Sequence, residues 1–215
     1  MNKILKLSAI ALLASSTSLM AQTKSFEGAY AGIFGGAIGA EVDGSVTGTA
    51  TGGSGSIGKV SGIAGVDLGY GFAGGAFAVG ATYIPMKAKF GTGSGNDSTS
   101  GTTITGELKD HYTIYVQPTY VVNKDSALFA KVAYAHADIT TTNTTTASSN
   151  VEGWGLGIGL KTFLTPNTYV QVEGVYTDYD SIRGTKTSAG SPGSTTTVSG
   201  DLRTAQGLVT LGYKF

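Results

Sequence analysis

Along most of this chain, apolar positions alternate with small or polar ones at a period of two, which is the pattern of strands whose two faces meet different surroundings. The last eleven residues, AQGLVTLGYKF, display it plainly. Ala205, Gly207, Val209, Leu211, Tyr213 and Phe215 share one face, and Gln206, Leu208, Thr210, Gly212 and Lys214 share the other. Chain ends are usually frayed and polar, so an apolar strand of this kind asks for a neighbour. Seven earlier stretches carry the same two-faced pattern and predict strands near residues 26–42, 59–72, 77–90, 108–121, 128–139, 151–163 and 169–179, with 205–215 as the eighth. In the first, Tyr30 and Phe34 fall in phase on the apolar face. The sixth is the cleanest: Trp154, Leu156, Ile158 and Leu160 alternate with Gly153, Gly155, Gly157, Gly159 and Lys161. Pro85 and Pro118 sit awkwardly in this scheme, because proline has no N–H to give to a ladder.

The gaps between these strands alternate in length. Residues 73–76, 122–126 and 164–168 are short; residues 43–58, 91–106, 140–150 and 180–200 are long and rich in Gly, Ser and Thr. Eight antiparallel strands joined in that order place every long loop at one end. The predicted fold is all-β, an eight-stranded antiparallel up-and-down transmembrane β-barrel, since outer-membrane barrels combine short turns on one side with longer loops on the other. An even number of strands lets the sheet close and leaves no edge to hydrocarbon.

A secreted lipocalin-like barrel would instead turn its apolar face inward. The sixth strand argues against that, because a row of glycines makes a poor water-facing surface and a good lining for a narrow lumen. The aromatics agree. On the apolar faces, Tyr83, Tyr112, Tyr134, Trp154 and Tyr176 gather toward the long-loop end, and Phe72, Phe77, Tyr120, Tyr213 and Phe215 toward the short-turn end. These read as the two interfacial girdles of a membrane barrel. From Tyr112 to Tyr120 the strand runs roughly 26 Å at about 3.3 Å per residue, or roughly 20 Å of depth at a tilt of about 40°.

Composition supports this picture. Charged residues are only 13% of the chain and glycine supplies 34 of 215 residues, an underdressed surface for a soluble domain. Lys3 and Lys6, the apolar run of residues 7–13 and the small residues ending at Ala21 have the layout of a secretory signal peptide, so residues 1–21 are expected to be removed and residues 22–215 to form the barrel. Without Lys3 and Lys6, twelve basic residues face 14 acidic ones, and nothing suggests nucleic acid as a partner. Cysteine is absent, which excludes disulfides and thiolate metal sites.

The signal-peptide layout, the Trp154-to-Leu160 strand followed by Leu164, Thr165, Pro166 and Asn167, and the terminal Val209, Leu211, Tyr213 and Phe215 together resemble the small outer-membrane β-barrel families of Gram-negative bacteria, of the OmpA-like and OmpX-like kind. The resemblance spans the mature chain. It implies a cell outer membrane location after export, contact with membrane lipid and lipopolysaccharide, and a monomer. It also implies that Val209, Leu211, Tyr213 and Phe215 are the signal read by the barrel-assembly machinery. OmpA relatives often carry a peptidoglycan-binding domain after the barrel; no such tether is expected here.

Candidate chemistry is sparse. The segment Gly53 to Lys59 imitates a phosphate loop, but Val60 stands where Ser or Thr should hold magnesium, and a strand follows where a helix should. His111 and His136 lie near the long-loop ends of neighbouring strands; strand register pairs His111 with a residue such as Ala137 and turns His136 outward near Tyr112, so they would share a site only through a bulge. No catalytic residues, metal or cofactor are therefore expected. The inward charges carry more information. Asp67, Lys131, Lys161 and Glu173, with Gln117 and Gln171, form a predicted lumen cluster, joined by Arg203, Lys214 and Gln206 on or near the inner faces. Buried charges persist when paired, and Glu173 and Gln171 are expected opposite Lys161. The expected role is structural or surface interaction, with a small passive pore and a lipid-modifying enzyme as the alternatives. The Thr- and Ser-rich loops, including residues 140–146 and 191–199, read as a solvated shield, or alternatively as a surface for an extracellular ligand.

Overall fold

A computed structural model describes residues 26–47, 53–97, 100–142, 149–187 and 195–215. The expected signal peptide lies outside them. Ten strand segments follow in order: β1 (Gly28–Thr47), β2 (Gly53–Phe72), β3 (Phe77–Ile84), β4 (Ala88–Asp97), β5 (Ser100–Val121), β6 (Ser126–Thr142), β7 (Ser149–Phe163), β8 (Thr168–Tyr179), β9 (Ile182–Thr187) and β10 (Thr195–Lys214). β4 continues β3 alongside β5, and β9 continues β8 alongside β10. The ten segments thus make eight antiparallel staves. The sheet closes where β10 pairs β1, from Tyr30 opposite Lys214 to Thr47 opposite Thr197.

The two interruptions have local causes. Pro85 lacks an N–H and separates β3 from β4. Asp180 and Ser181 separate β8 from β9, and the Asp180 N–H turns to the Glu152 carbonyl at 2.7 Å. Short turns close the other end. Gly74 and Gly75, at φ 67° and 88°, carry the chain from β2 into β3 in a conformation that glycine adopts without strain. The side chain of Asn123 accepts the N–H groups of Asp125 and Ser126 at 2.9 and 2.8 Å, and Thr165 Oγ1 accepts that of Thr168 at 2.9 Å.

The long gaps differ from expectation. Much of residues 43–58, 91–106 and 180–200 is ladder and not loop: β1–β2 pairing runs to Val46 opposite Gly53, β4–β5 pairing to Asp97 opposite Ser100, and β9–β10 pairing to Thr187 opposite Thr195. Gly, Ser and Thr lack the apolar bulk that marks a strand facing lipid, yet β-branched threonine suits an extended backbone in water. The phosphate-loop look-alike at Gly53 lies inside β2.

Above the level of Tyr83 and Gly153 the ladder is incomplete. Pairing of β2 with β3 stops at Val66 opposite Tyr83, and pairing of β7 with β8 stops at Gly153 opposite Tyr179. Beyond these points, β9, β10, β1 and β2 form one paired sheet and β4, β5, β6 and β7 another.

Candidate functional site

Side-chain direction follows the pleat, so each stave offers one face to the outside and one to the lumen. The outside is apolar. Ile158 is 70% exposed and Trp154 63%, and Leu68, Ile114, Leu128, Leu156, Val172, Val209 and Leu211 are exposed with them. The expected girdle residues lie on this face. At the long-loop side, Tyr83 sits opposite Tyr112 and Tyr134 opposite Trp154, the latter rings meeting edge-on at 5.7 Å. Tyr176 lies on the same outer face. At the short-turn side, Phe72 stacks on Phe77 at 5.3 Å, Tyr213 meets Phe215 at 5.3 Å, and Tyr120 is exposed.

The first stave corrects its expected facing. Tyr30 and Phe34 are buried in the lumen, and Ile33 points out. The reason is a recurring interlock. Tyr30 lies opposite Gly69, Phe34 opposite Gly65, Tyr115 opposite Gly80, Phe129 opposite Gly159 and Tyr169 opposite Gly212. A Cβ added at any of these glycines would land on the facing ring. Each inner glycine therefore makes the floor for one aromatic, and the narrow lumen is filled without widening the barrel.

The predicted lumen residues Asp67, Gln117, Lys131, Lys161, Gln171 and Glu173 are all buried. Lys131 Nζ reaches Glu173 Oε2 at 2.5 Å, with both side chains 3% exposed. Gln171 donates to the same oxygen at 3.1 Å. Tyr115 donates to Asp67 Oδ1 at 2.7 Å and lies 2.9 Å from the Tyr30 hydroxyl. Lysine stems and rings interleave: Lys131 Nζ is 4.3 Å from the Tyr115 ring centre, and Lys161 Nζ is 4.1 Å from Tyr30 and 4.6 Å from Tyr169. The expected Lys161–Glu173 pairing is replaced by Lys131–Glu173. Lys131 on β6 reaches over the inner glycines of β7, Gly157 and Gly159, to Glu173 on β8, a stave that is not its neighbour, which strand adjacency alone does not reveal.

Arg203 is not a lumen residue. It projects from the outer face of β10 between Asp43 at 3.1 Å and Asp178 at 3.6 Å. Lys214 stands at the short-turn mouth, with Nζ 5.8 Å from the Phe163 ring centre.

The two histidines lie on opposite faces of the wall. A bulge does occur between them: β5 fits Asp110 and His111 against the single residue Ala137, and Asp110 adopts φ 47°. His111 keeps the inward parity of Tyr115 and Gln117, and its Nε2 meets the Tyr179 hydroxyl at 2.8 Å; the bulge brings Leu108 inward as well. His136 stays outside, stacked on Tyr112 at 4.8 Å and flanked by Asp138 and Glu152 at 3.7 and 3.8 Å. Among the described residues, no group of His, Asp and Glu is arranged to hold a metal ion.

Sequence reasoning missed Tyr30, Phe34, Phe129 and Tyr169 as lumen fillers, while Tyr115 falls on the inward face of its strand as the alternation places it. The signal was present in the register: each stands opposite a glycine on a neighbouring stave.

A solved outer membrane protein shares this architecture. The crystal structure of the outer membrane protein OprG from Pseudomonas aeruginosa superposes with a TM-score of 0.67 at 12% identity, over 89% of this chain and 98% of that one. The solid-state NMR structure of outer membrane protein AlkL in DMPC bilayers gives 0.50 at 19% identity, over 88% and 90%. Ail, the attachment invasion locus protein of Yersinia pestis, solved with the heparin analogue sucrose octasulfate, gives 0.47 at 13%, over 87% and 99%. No curated protein matches the chain. The model of the outer membrane protein beta-barrel domain matches residues 9–215, so the chain belongs to that family and is a barrel of the outer membrane.

Proposed function

We propose that this barrel serves a structural or surface-interaction role without catalysis and without a conducting pore, its lumen filled by side chains. The observation that carries the reading is the buried Lys131–Glu173 pair with Gln171 on the same oxygen, with Lys131 against the Tyr115 ring and Lys161 against Tyr30 and Tyr169. An eight-stranded barrel encloses little more than its own side chains, and a fully paired charge there holds the lumen together without attracting a passing ion. In this reading residues 1–21 are an export signal, residues 22–215 the mature barrel, and the barrel works as a monomer in contact with lipid and lipopolysaccharide. Val209, Leu211, Tyr213 and Phe215 address it to the assembly machinery, and the segments beyond the outer girdle are where an extracellular ligand would meet it.

Planar-bilayer recording of the refolded chain tests the central point. No steady steps are expected. Steady, large open events would replace this reading with that of a small passive pore.

A further inference from the structure

The buried lumen side chains fall into two apolar clusters with the charged residues between them. Toward the long-loop end comes an apolar layer that includes Ile38, Ile63, Leu108, Ile139, Val151 and Leu202. Toward the short-turn end comes a second, built on Phe26, Val121, Ala127 and Phe163, where Phe26 and Phe163 meet edge-on at 5.1 Å. The succession can be followed along single staves. β6 presents Ala127, then Lys131, then Ile139 to the lumen; β7 presents Phe163, then Lys161, then Val151. Every one of these side chains is buried.

We infer that the permeability barrier of this barrel lies in the two apolar layers and not in the charged layer between them. The inference rests on the non-conducting reading above and goes further, because it separates what holds the lumen together from what seals it. The charged layer is balanced, with Asp67 and Glu173 against Lys131 and Lys161 among the described residues, and charged groups tolerate water. The apolar layers do so less: the polar pair in the long-loop layer, His111 and Tyr179, is bonded to itself, so an ion entering sheds hydration with little to replace it, and a narrow apolar constriction empties of water. The two layers act in series, so a defect in one leaves the other closed.

The chain has no cysteine, so Gln171→Cys places a single thiol in the charged layer. With the refolded full chain in vesicles and a charged, impermeant thiol reagent on both sides, this thiol is expected to react at least about tenfold more slowly than one at the exposed turn residue Lys124, because access requires local opening. Reaction at the rate of the Lys124→Cys control overturns the inference. Conductance gives the second arm. Lys131→Met with Glu173→Met is expected to remain silent. A heat-modifiable, folded variant hollowed in both layers by Ile38→Ala, Leu202→Ala, Phe26→Ala and Phe163→Ala is expected to show steps. Steps from the charge-pair variant, or silence from the hollowed one, overturn the placement of the barrier. Steps from the unaltered chain strike instead at the non-conducting reading. The thiol arm decides the matter should the hollowed variant fail to fold.

Discussion

At the scale of single residues, glycine and aromatic side chains divide the lumen between them. Gly159 lies under the Phe129 ring and has no room for a methyl group, whereas Gly207, outward on β10, would meet nothing within 4 Å. Gly159→Ala is therefore expected to destabilise the barrel by about 1–3 kcal/mol through overpacking, and Gly207→Ala to stay within about 0.5 kcal/mol. Unfolding in detergent followed by heat-modifiable mobility measures both, and equal effects would dissolve the interlock. The outward aromatics could be read from the sequence because their neighbours at i±2 are apolar too. The inward ones could not, because Tyr30 and Phe34 stand in a stave with Ile33 and Ile38 on opposite faces, and hydropathy alone does not say which face is which. The partner of Glu173 was equally hidden: Lys131 and Lys161 both face the lumen, and the choice between them depends on reach over the glycines of β7.

At the scale of elements, the bulge in β5 is the sharpest device. Leu108 and His111 both face inward although three positions separate them, so the parity of the strand changes at Asp110. The left-handed backbone there suits Asp or Gly and not a β-branched residue. Asp110→Gly is expected to fold with stability changed by no more than about 0.5 kcal/mol, Asp110→Val to lose about 1–3 kcal/mol, and deletion of Asp110 to abolish folding, since one missing residue sends every later or earlier side chain to the wrong face. Circular dichroism and gel mobility of the three variants would show it; a deletion that folds normally would mean that the register tolerates a slip. Nothing in the sequence marks Asp110 as a bulge, because Lys, Asp and His in a row suit either face at a water boundary. The last strand makes a different kind of prediction. Tyr213 and Phe215 touch each other on the exposed outer face, and neither reaches the lumen. Removing Phe215 is expected to lower the amount of barrel assembled in cells while leaving the melting behaviour of refolded protein nearly unchanged. Normal assembly of that truncation would argue against the terminal strand as an address.

At the scale of the whole molecule, the two faces of the wall exchange character at the outer girdle. Below Tyr83, Tyr112, Trp154 and Tyr176 the outside is apolar and the inside carries the charges. Above them the inside is Ile38, Ile139, Val151 and Leu202, and the outside carries Asp43, Asp138, Glu152, Asp178 and Arg203. The upper part is thus organised as two sheets around an apolar core, as proteins in water are, and the lower part as lipid requires. Trp154 is the chain's single tryptophan and stands at the boundary. Its fluorescence is expected to be quenched more by lipids brominated near the headgroup than by lipids brominated near the chain end; the reverse order would put the girdle elsewhere. Strand count, closure and membrane location were legible because they depend on the period-two pattern and on turn spacing. The upper sheets were not, because they are written in Thr, Ser and Gly, which a search for apolar alternation passes over.

That exchange of character also determines how deep the molecule floats. A slide of two residues along the tilted strands would lower the barrel by roughly 5 Å. It would immerse Asp43, Asp178 and Arg203 in hydrocarbon, where a cationic side chain on the lipid face costs up to about 2–4 kcal/mol near the midplane. A slide the other way would strand Leu160, Val172 and Leu211 in water. The protein has a waterline it cannot change, and a bilayer of the wrong thickness must pucker to meet it. Such a barrel belongs in a thin membrane, and its own wall fixes how thin the lipid around it becomes.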